Sequence, residues 1–377
     1  MSEASDARVE KWSGPVLGGP AALKLAVFPP NQRGGVTGAD VEGKLLATWE
    51  ESKRIAQRAD ALGLEAIVSA ARWRGYGGAA NLADRVFDPF TWSAALLAVT
   101  EQIQVFATVH APLIHPVLVA KMSATADHIS GGRFGINIVA GWYADEFAMF
   151  GLAPDEHDER YAHANEWTEL LKQLWTAPGE HDFHGRFFDS PGATSEPKPL
   201  QDPYPVIMNA GTSAAGRAFA VTHSDLILAG LQEIDAAKRQ IAEIKELART
   251  SRGREVRVFG RGHVVCRPSE QEARDYWHWV HVERADVEAM RRFARLSAQQ
   301  SQSSEYSPHE QKLIEGVAAG RWALPFCGTP DQIVARMSEI HAAGLDGLVL
   351  SWVDYDEGLD QLEQLILPRM VAAGLRV

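Results

Sequence analysis

The chain has 377 residues, 46% of them hydrophobic, and a formal net charge of −12 at neutral pH. This length is long for one ordinary domain and short for three, and the hydrophobic content supports a large core. The acidic balance argues against a nucleic acid as the main partner, because phosphate backbones favour basic surfaces.

The sequence also lacks the patterns of membrane, secreted and metal-binding proteins. No apolar run reaches the roughly 20 residues that a membrane-spanning helix needs, and the N-terminus lacks the basic-then-apolar pattern of a secretion signal. The two cysteines, Cys266 and Cys327, lie far apart and indicate neither a disulfide framework nor a metal site. We therefore expect a cytoplasmic protein with reduced thiols and no bound metal.

Strand and helix patterns alternate along most of the chain. Residues 1–22 are polar and rich in glycine and proline, which predicts an N-terminal arm. The first strand pattern follows at 23–30, and a helical pattern covers about 42–63. Seven further strand patterns follow, most of them separated by helices, at 65–70, 103–110, 134–140, 205–210, 225–230, 255–266 and 346–354.

Eight strands that alternate with helices predict a parallel sheet and, at this count, a closed (β/α)8 TIM barrel. We assign residues 23–377 to this single domain, with a hairpin insertion near 181–192 and a polar insertion near 285–325. We expect the second insertion to be a loop that forms a mobile lid over the site. The alternative is an open doubly wound sheet, but no G-x-G-x-x-G motif follows the first strand.

In such a barrel the active site lies at the carboxyl ends of the strands. The third strand pattern ends with Thr108 and His110, which share one face by strand alternation. The fourth contains Asn137 among apolar and glycine neighbours. A buried amide without a partner costs about 1–3 kcal/mol. Asn137 is therefore either a core amide bonded to a neighbouring strand or a contact to a ligand.

The fifth strand pattern ends in Gly211, Thr212 and Ser213 at the start of a helix. Free N–H groups at such a helix start suit a phosphate, although an ordinary N-cap by Thr212 or Ser213 explains the same pattern. Arg160 and Tyr161 either add a cation and a hydroxyl to that phosphate or simply begin a solvated helix.

Taken in order, five segments resemble the bacterial-luciferase-like flavin monooxygenases: "TADHISGGRFGINIVAGW" with "DEF", "HDERY", "HDFHGRFF", "PVIMNAGTSAAGRAFA" and "FCGTPDQIVARM". Within that family the chain resembles the pyrimidine and dimethyl sulfone monooxygenases more than it resembles the alkanesulfonate monooxygenases. The resemblance implies a (β/α)8 barrel that binds reduced FMN, supplied by a separate flavin reductase, and uses O2 as co-substrate. It also implies a homodimer or homotetramer.

The resemblance assigns roles motif by motif. The catalytic set that it implies contains Thr108, Asn137 and Trp142. His110, one strand step beyond Thr108, is our own candidate for a proton donor or substrate contact. The FMN contacts that it implies, with Ser213 at the phosphate, are Ala71, Arg72, Asn137, Glu146, Arg160, Tyr161, Gly211, Thr212 and Ser213.

Two oxygen chemistries occur in the family that the chain resembles. In the pyrimidine enzymes a matching threonine and asparagine flank the central flavin nitrogen, N5, where oxygen gives a peroxide or oxide. The sulfone enzymes imply a hydroperoxide at the ring junction instead. Thr108 and Asn137 favour the first chemistry.

We expect a small, electron-poor organic substrate: a nitrogen heterocycle, a flavin ring such as riboflavin, or a sulfone. Arg72 and Arg74 are the cations at hand for a sulfonate, so an alkanesulfonate or sulfone monooxygenase is an alternative. Two other classes stay open, a deazaflavin-dependent hydride transferase on the same barrel and a non-catalytic flavin-binding protein.

Overall fold

A computed structural model describes residues 9–11, 14–153, 156–231, 234–300 and 323–377, with the side chains of 297–300 left out. Much of the predicted arm and residues 301–322 of the predicted lid lie outside these ranges. No helix in the described ranges is both long and apolar enough to cross a bilayer.

Eight parallel strands form a closed barrel, which confirms the predicted (β/α)8 fold. The barrel strands are β1 Lys24–Val27, β2 Ala66–Val68, β3 Gln104–His110, β4 Phe134–Val139, β5 Val206–Asn209, β6 Leu226–Ala229, β7 Arg257–Cys266 and β8 Gly347–Ser351. Neighbouring strands pair around the ring in the order β6-β5-β4-β3-β2-β1-β8-β7, and pairing of β6 with β7 closes it.

Helices occupy the connections and surround the barrel. Their apolar faces pack against the outward-facing residues of the strands in one continuous core, in which Trp167 and Trp175 are almost fully buried. The helices are α1 Trp49–Ala61, α2 Pro89–Ala98, α3 Pro116–Ser130, α4 Ala144–Met149, α5 His157–Thr176, α6 Ala214–His223, α7 Ile234–Arg252, α8 Glu270–His278, α9 Val287–Gln300, α10 Pro330–Ala342, α11 Tyr355–Gln361 and α12 Leu367–Ala372.

The helix predicted at 42–63 begins later than expected, at Trp49. Thr48 and Glu51 form a capping box, in which each side chain accepts the backbone N–H of the other residue. Because this box satisfies the free N–H groups of the first turn, it fixes the helix start.

The prediction of a loop over 285–325 is wrong for residues 287–300. Residues 287–300 form α9, whose Met290 packs with Tyr76 and Tyr143. The Asp286 carboxylate accepts the N–H of Ala289 in the first turn and that of Ala80 in the connection between β2 and α2. The strand Leu324–Gly328 pairs with β7 outside the barrel. The apolar face of α9 is short and its neighbouring residues are charged or polar, so the sequence shows only a weak helical pattern there.

A hairpin, His181–His184 with Asp189–Ala193, occupies the segment near 181–192. The Glu166 side chain of α5 anchors it by accepting the N–H groups of Phe187 and Phe188 at 2.8 and 2.7 Å.

The interior of the barrel changes from apolar to polar along the strands. Phe106 of β3 and Phe259 of β7 fill the lower interior, where a side chain at Gly135 would lie 2.5 Å from the Phe106 ring. Two residues further along the same strands, on the same face, stand Thr108, Arg261 and Asn137. The polar site therefore begins directly above the packed core.

Candidate active site

A cavity of about 430 Å³ opens at the carboxyl ends of the strands. Its volume lies within the roughly 300–1,000 Å³ of small-molecule and cofactor sites. Of the predicted site residues, only Glu146 does not line this cavity. Those that line it are Ala71, Arg72, Thr108, His110, Asn137, Trp142, Arg160, Tyr161, Gly211, Thr212 and Ser213.

Thr108, Asn137 and Ser69 form one hydrogen-bonded chain on the cavity wall. The Thr108 hydroxyl donates to the Ser69 carbonyl oxygen at 2.5 Å, and Asn137 Nδ2 donates to Thr108 Oγ1 at 3.0 Å. Asn137 is 6% exposed, and its Oδ1 has no hydrogen-bond partner among the described residues. Asn137 therefore bonds to a neighbouring strand and also lines the cavity, so the first of the two sequence alternatives does not exclude the second.

Arg72 lies in the loop after β2, over an aromatic wall of the cavity. Its guanidinium carbon is 4.6 Å from the centre of the Trp142 ring, a distance at which a cation is attracted to the ring face. Its Nε donates to the Tyr76 hydroxyl at 3.1 Å. Arg72 and Trp142, both predicted site residues, are thus in direct contact with each other.

Glu146 of α4 is fully buried behind that loop. Its carboxylate accepts from the N–H groups of Trp73 and Arg74 at 2.8 and 3.2 Å, and from Arg72 Nη1 at 3.2 Å. The carboxylate therefore positions Arg72. A direct contact between Glu146 and FMN stays a prediction.

His110 lies beside Arg72 as a neutral imidazole. Burial, and then the charge of Arg72, hold the pKa of His110 well below its ordinary value. Its Nε2 is 3.4 Å from Arg72 Nη1, and because a guanidinium only donates, Nε2 is the acceptor and Nδ1 carries the hydrogen. His110 Nδ1 is buried and lies 3.8 Å from the Glu146 carboxylate, so the contact of His110 with a substrate stays a prediction, and His110 is not a charged acid at neutral pH.

Side chains of α5 and α6 converge at one end of the cavity. Ser213 caps α6 by accepting the Gly216 N–H at 3.1 Å, and the Tyr161 hydroxyl bonds to Ser213. A side chain at Gly216 would lie 2.6 Å from the Tyr161 hydroxyl, so the close approach requires glycine. Arg160 donates to the Gly141 carbonyl at 2.8 Å. This end of the cavity suits an anion.

Sequence reasoning missed His157 at the same end. Its Nε2 is 3.1 Å from Ser213 Oγ, and its Nδ1 is 3.0 Å from Asp158. The signal was the spacing in "HDERY", which places His157 one helical turn before Tyr161.

Sequence reasoning also missed Arg261 on β7. Its side chain lines the cavity, no carboxylate among the described residues pairs with it, and its Nε has no hydrogen-bond partner there. Burial lowers the pKa of Arg261 to about 10, so it stays charged at neutral pH. The strand alternation Phe259, Arg261, His263 was the available signal.

Sequence comparison identifies the family. A family model described as luciferase-like monooxygenase matches residues 23–347. The chain is 31% identical over 353 residues to the FMNH2-dependent dimethylsulfone monooxygenase of Pseudomonas putida, covering 92% of this chain and 94% of that protein. It is 31% identical over 369 residues to the pyrimidine monooxygenase RutA of Bradyrhizobium sp., covering 94% of this chain and 99% of that protein.

Structure comparison agrees on the fold. The chain superposes on the riboflavin lyase RcaE with a TM-score of 0.83 at 24% identity, covering 94% of this chain and 92% of that one. The predicted barrel, the monooxygenase class and the use of reduced FMN with O2 are confirmed at the level of the family. The chain belongs to the luciferase-like monooxygenase family.

Proposed function

We propose that this chain is the oxygenase of a two-component system. It takes reduced FMN from a separate flavin reductase and uses O2 to oxidise a small, electron-poor molecule that carries a carbonyl or sulfonyl oxygen. Arg261, a charged side chain on the cavity wall without a described carboxylate partner, is the observation that carries the choice of substrate class.

The residues of the cavity fit FMN. Ser213, Tyr161 and His157, with the free N–H groups at the start of α6, would hold the phosphate. Asn137 lines the cavity beside its partner Thr108, and Arg72 with Trp142 forms a polar-aromatic wall. When bound, the reduced flavin supplies the electrons that activate O2. The protein's own tasks are to orient the flavin, exclude water and place the substrate.

Arg261 would anchor the substrate. It is separated from Asn137 by β5 and β6 in the ring of strands, so the two side chains approach the cavity from different sides. A partly buried guanidinium without a countercharge is stabilised by accepting groups on a ligand. Doubly bonded oxygens of a heterocycle or a sulfone provide such groups without requiring a second cation.

The named substrates of the two relatives agree with this anchor. By their names, those proteins act on dimethylsulfone and on a pyrimidine. A sulfone and an oxidised pyrimidine such as uracil both present oxygens that accept hydrogen bonds. A sulfonate would also bond to Arg261, but its full charge is best matched by several cations.

Turnover with a substrate panel tests the proposal. The protein is mixed with a flavin reductase, NADH and FMN, and products from uracil, dimethyl sulfone, an alkanesulfonate and riboflavin are identified by mass spectrometry. An oxygen-dependent product from any of them supports the monooxygenase activity. The absence of every such product under conditions where reduced FMN binds contradicts the substrate class.

Variants of Arg261 test the anchor itself. Because a lost hydrogen bond to a charged group is worth about 1.5–3 kcal/mol, Arg261→Gln is expected to lower kcat/KM by about 10- to 100-fold. The affinity for reduced FMN should change little. Arg257→Gln, on the same strand but 43% exposed, is the matched control. An unchanged kcat/KM for Arg261→Gln would show that Arg261 does not hold the substrate.

A further inference from the structure

Arg261 lies on the side of the barrel that faces the anion end of the cavity, the end where Tyr161 meets Ser213. That end is formed by α5 and α6, which follow β4 and β5, and the strands opposite these two in the ring are β8 and β1. Arg261 of β7 is in register with Val349 of β8, which is in register with Ala26 of β1. The cavity therefore has two separate ends, one for an anion and one beside Arg261.

The cavity wall beside Arg261 is apolar. Phe28 directly follows β1, and Val36 lies in the loop that comes next; both line the cavity and are partly exposed. Val36 belongs to none of the apolar clusters in the described part of the chain. An apolar side chain of this kind is stabilised when the apolar group of a ligand removes it from water.

The loop after β1 holds Val36 in place. The Gln32 side-chain amide donates to the Gly35 carbonyl at 2.6 Å. Gly35 has a φ of 56°, which glycine adopts without strain, and a side chain there would lie 2.8 Å from the Tyr355 hydroxyl oxygen. Because the backbone before Val36 is fixed by these contacts, little ordering is needed when a ligand covers its side chain.

The helix α9 extends the apolar wall. The Gly38 carbonyl accepts the Asp286 N–H at 2.9 Å, and Met290 packs against Gly38, where a side chain would not fit. Phe293 lies three residues after Met290, on the same face of the helix, and it lines the cavity. Val36 and Phe293 therefore belong to two elements that pack against each other.

We propose that the substrate joins an oxygen-bearing head to an alkyl or aryl group of several carbons. This inference rests on the proposed function, in which Arg261 holds the oxygens of the head. The apolar group contacts Phe28, Val36 and Phe293. Dimethyl sulfone and uracil are then shortened forms of the substrate, because each presents the oxygens but little apolar surface.

Two series of compounds with growing alkyl groups test this inference, from dimethyl sulfone to butyl methyl sulfone and from uracil to 5-butyluracil. Affinities are measured by calorimetry on protein saturated with oxidised FMN, which does not react without a reductant. In the series that is turned over, each added methylene group is expected to raise the affinity about fourfold, because it is removed from water. The value of kcat/KM, measured with the reductase, should rise in the same way.

Two variants separate the apolar group from the head. Val36→Thr keeps the shape of the side chain but adds a hydroxyl, so the butyl compound should bind about fivefold more weakly while the first member of the series keeps its affinity. Arg261→Gln should weaken every member by the same factor, because all share the head. Val371→Thr, at a 49% exposed position of α12, is the matched control and should keep the wild-type increase.

The possible outcomes have distinct meanings. An affinity that rises along neither series would overturn the inference, and so would a wild-type increase in Val36→Thr. The absence of any oxygen-dependent product, from both series and from the substrate panel, would instead contradict the proposed function. An increase that Val36→Thr reduces and Arg261→Gln preserves would support the inference.

Discussion

The buried carboxylate of Glu146 lies 3.2 Å from the guanidinium of Arg72 and holds it from behind, on the side away from the cavity. The same carboxylate accepts two backbone N–H groups of the loop that carries Arg72. The Glu146 side chain therefore fixes the conformation of the loop after β2, which forms this part of the cavity wall.

Replacing Glu146 should make the loop that carries Arg72 less rigid. Glu146→Gln keeps an acceptor for the backbone N–H groups but loses the charge that faces Arg72. Because a hydrogen bond to a charged group is worth about 1.5–3 kcal/mol, we expect reduced FMN to bind about tenfold more weakly. Fluorescence titration under anaerobic conditions measures this. Glu363→Gln is the control, since that carboxylate pairs with Arg58 on the surface and is 50% exposed. Wild-type affinity in Glu146→Gln would rule out the positioning role.

His157 should contribute to the affinity for FMN through the phosphate group. The Nε2 atom of His157 is 3.1 Å from Ser213 Oγ, at the end of the cavity that suits an anion. His157→Ala is therefore expected to weaken the binding of reduced FMN about tenfold, through the loss of one charge-assisted hydrogen bond. Reduced riboflavin, which lacks the phosphate, should lose little affinity. His184→Ala, on the exposed hairpin, is the control. Equal losses for FMN and riboflavin would place the role of His157 elsewhere.

Phe293 of α9 should shape the substrate space. It lines the cavity and packs edge-on against Tyr76 at 5.0 Å and Trp142 at 5.9 Å. Because Phe293→Ala removes apolar contact area, we expect KM for a small substrate to rise about tenfold, whereas the affinity for reduced FMN stays unchanged. Steady-state kinetics measure this. Val287→Ala, at a 40% exposed position of the same helix, is the control, and an unchanged KM for Phe293→Ala would contradict the prediction.

Much of the site was predictable because strand alternation is a strict rule. Thr108 and His110 stand two and four residues after Phe106, and Asn137 stands two residues after Gly135, so alternation places all three on the inner face of a barrel built from these strands. Arg261 obeys the same rule, but whether a carboxylate pairs with it depends on seven other strands. The side of the loop on which Glu146 lies depends on the angle of α4. The local pattern of a sequence contains neither fact.

The helix α9 shows a second limit of the sequence. Its buried face depends on Tyr76 and Tyr143, which come from distant loops. A short apolar stripe in a polar segment is a weak signal until the partners that it packs against are known. The capping box of Thr48 and Glu51, by contrast, is a local motif and was available to prediction.

Buried histidines should make the fold sensitive to acid. Burial, followed by the charge of Lys172, lowers the pKa of His223 to about 3. The unfolded chain therefore binds a proton below about pH 6.5, before the folded chain does, and stability falls as the pH drops from there toward 3. Between pH 7.5 and 5 we expect Tm to fall by about 2 °C for each such histidine.

Thermal unfolding across this pH range measures the effect. His223→Asn should flatten the dependence of Tm on pH, and the exposed variant His184→Asn should leave it as in the wild type. A slope that does not change in His223→Asn would show that other groups govern the acid sensitivity.

The central claim is that reduced FMN and O2 act together in this cavity to transfer oxygen to a substrate. Turnover under 18O2, with the reductase supplying reduced FMN, tests it most directly through the mass of the product. The account predicts that the product carries one 18O atom from the gas, and that Asn137→Leu, on the cavity wall, forms far less of it. Product that carries oxygen only from water, or that forms equally in Asn137→Leu, would contradict it.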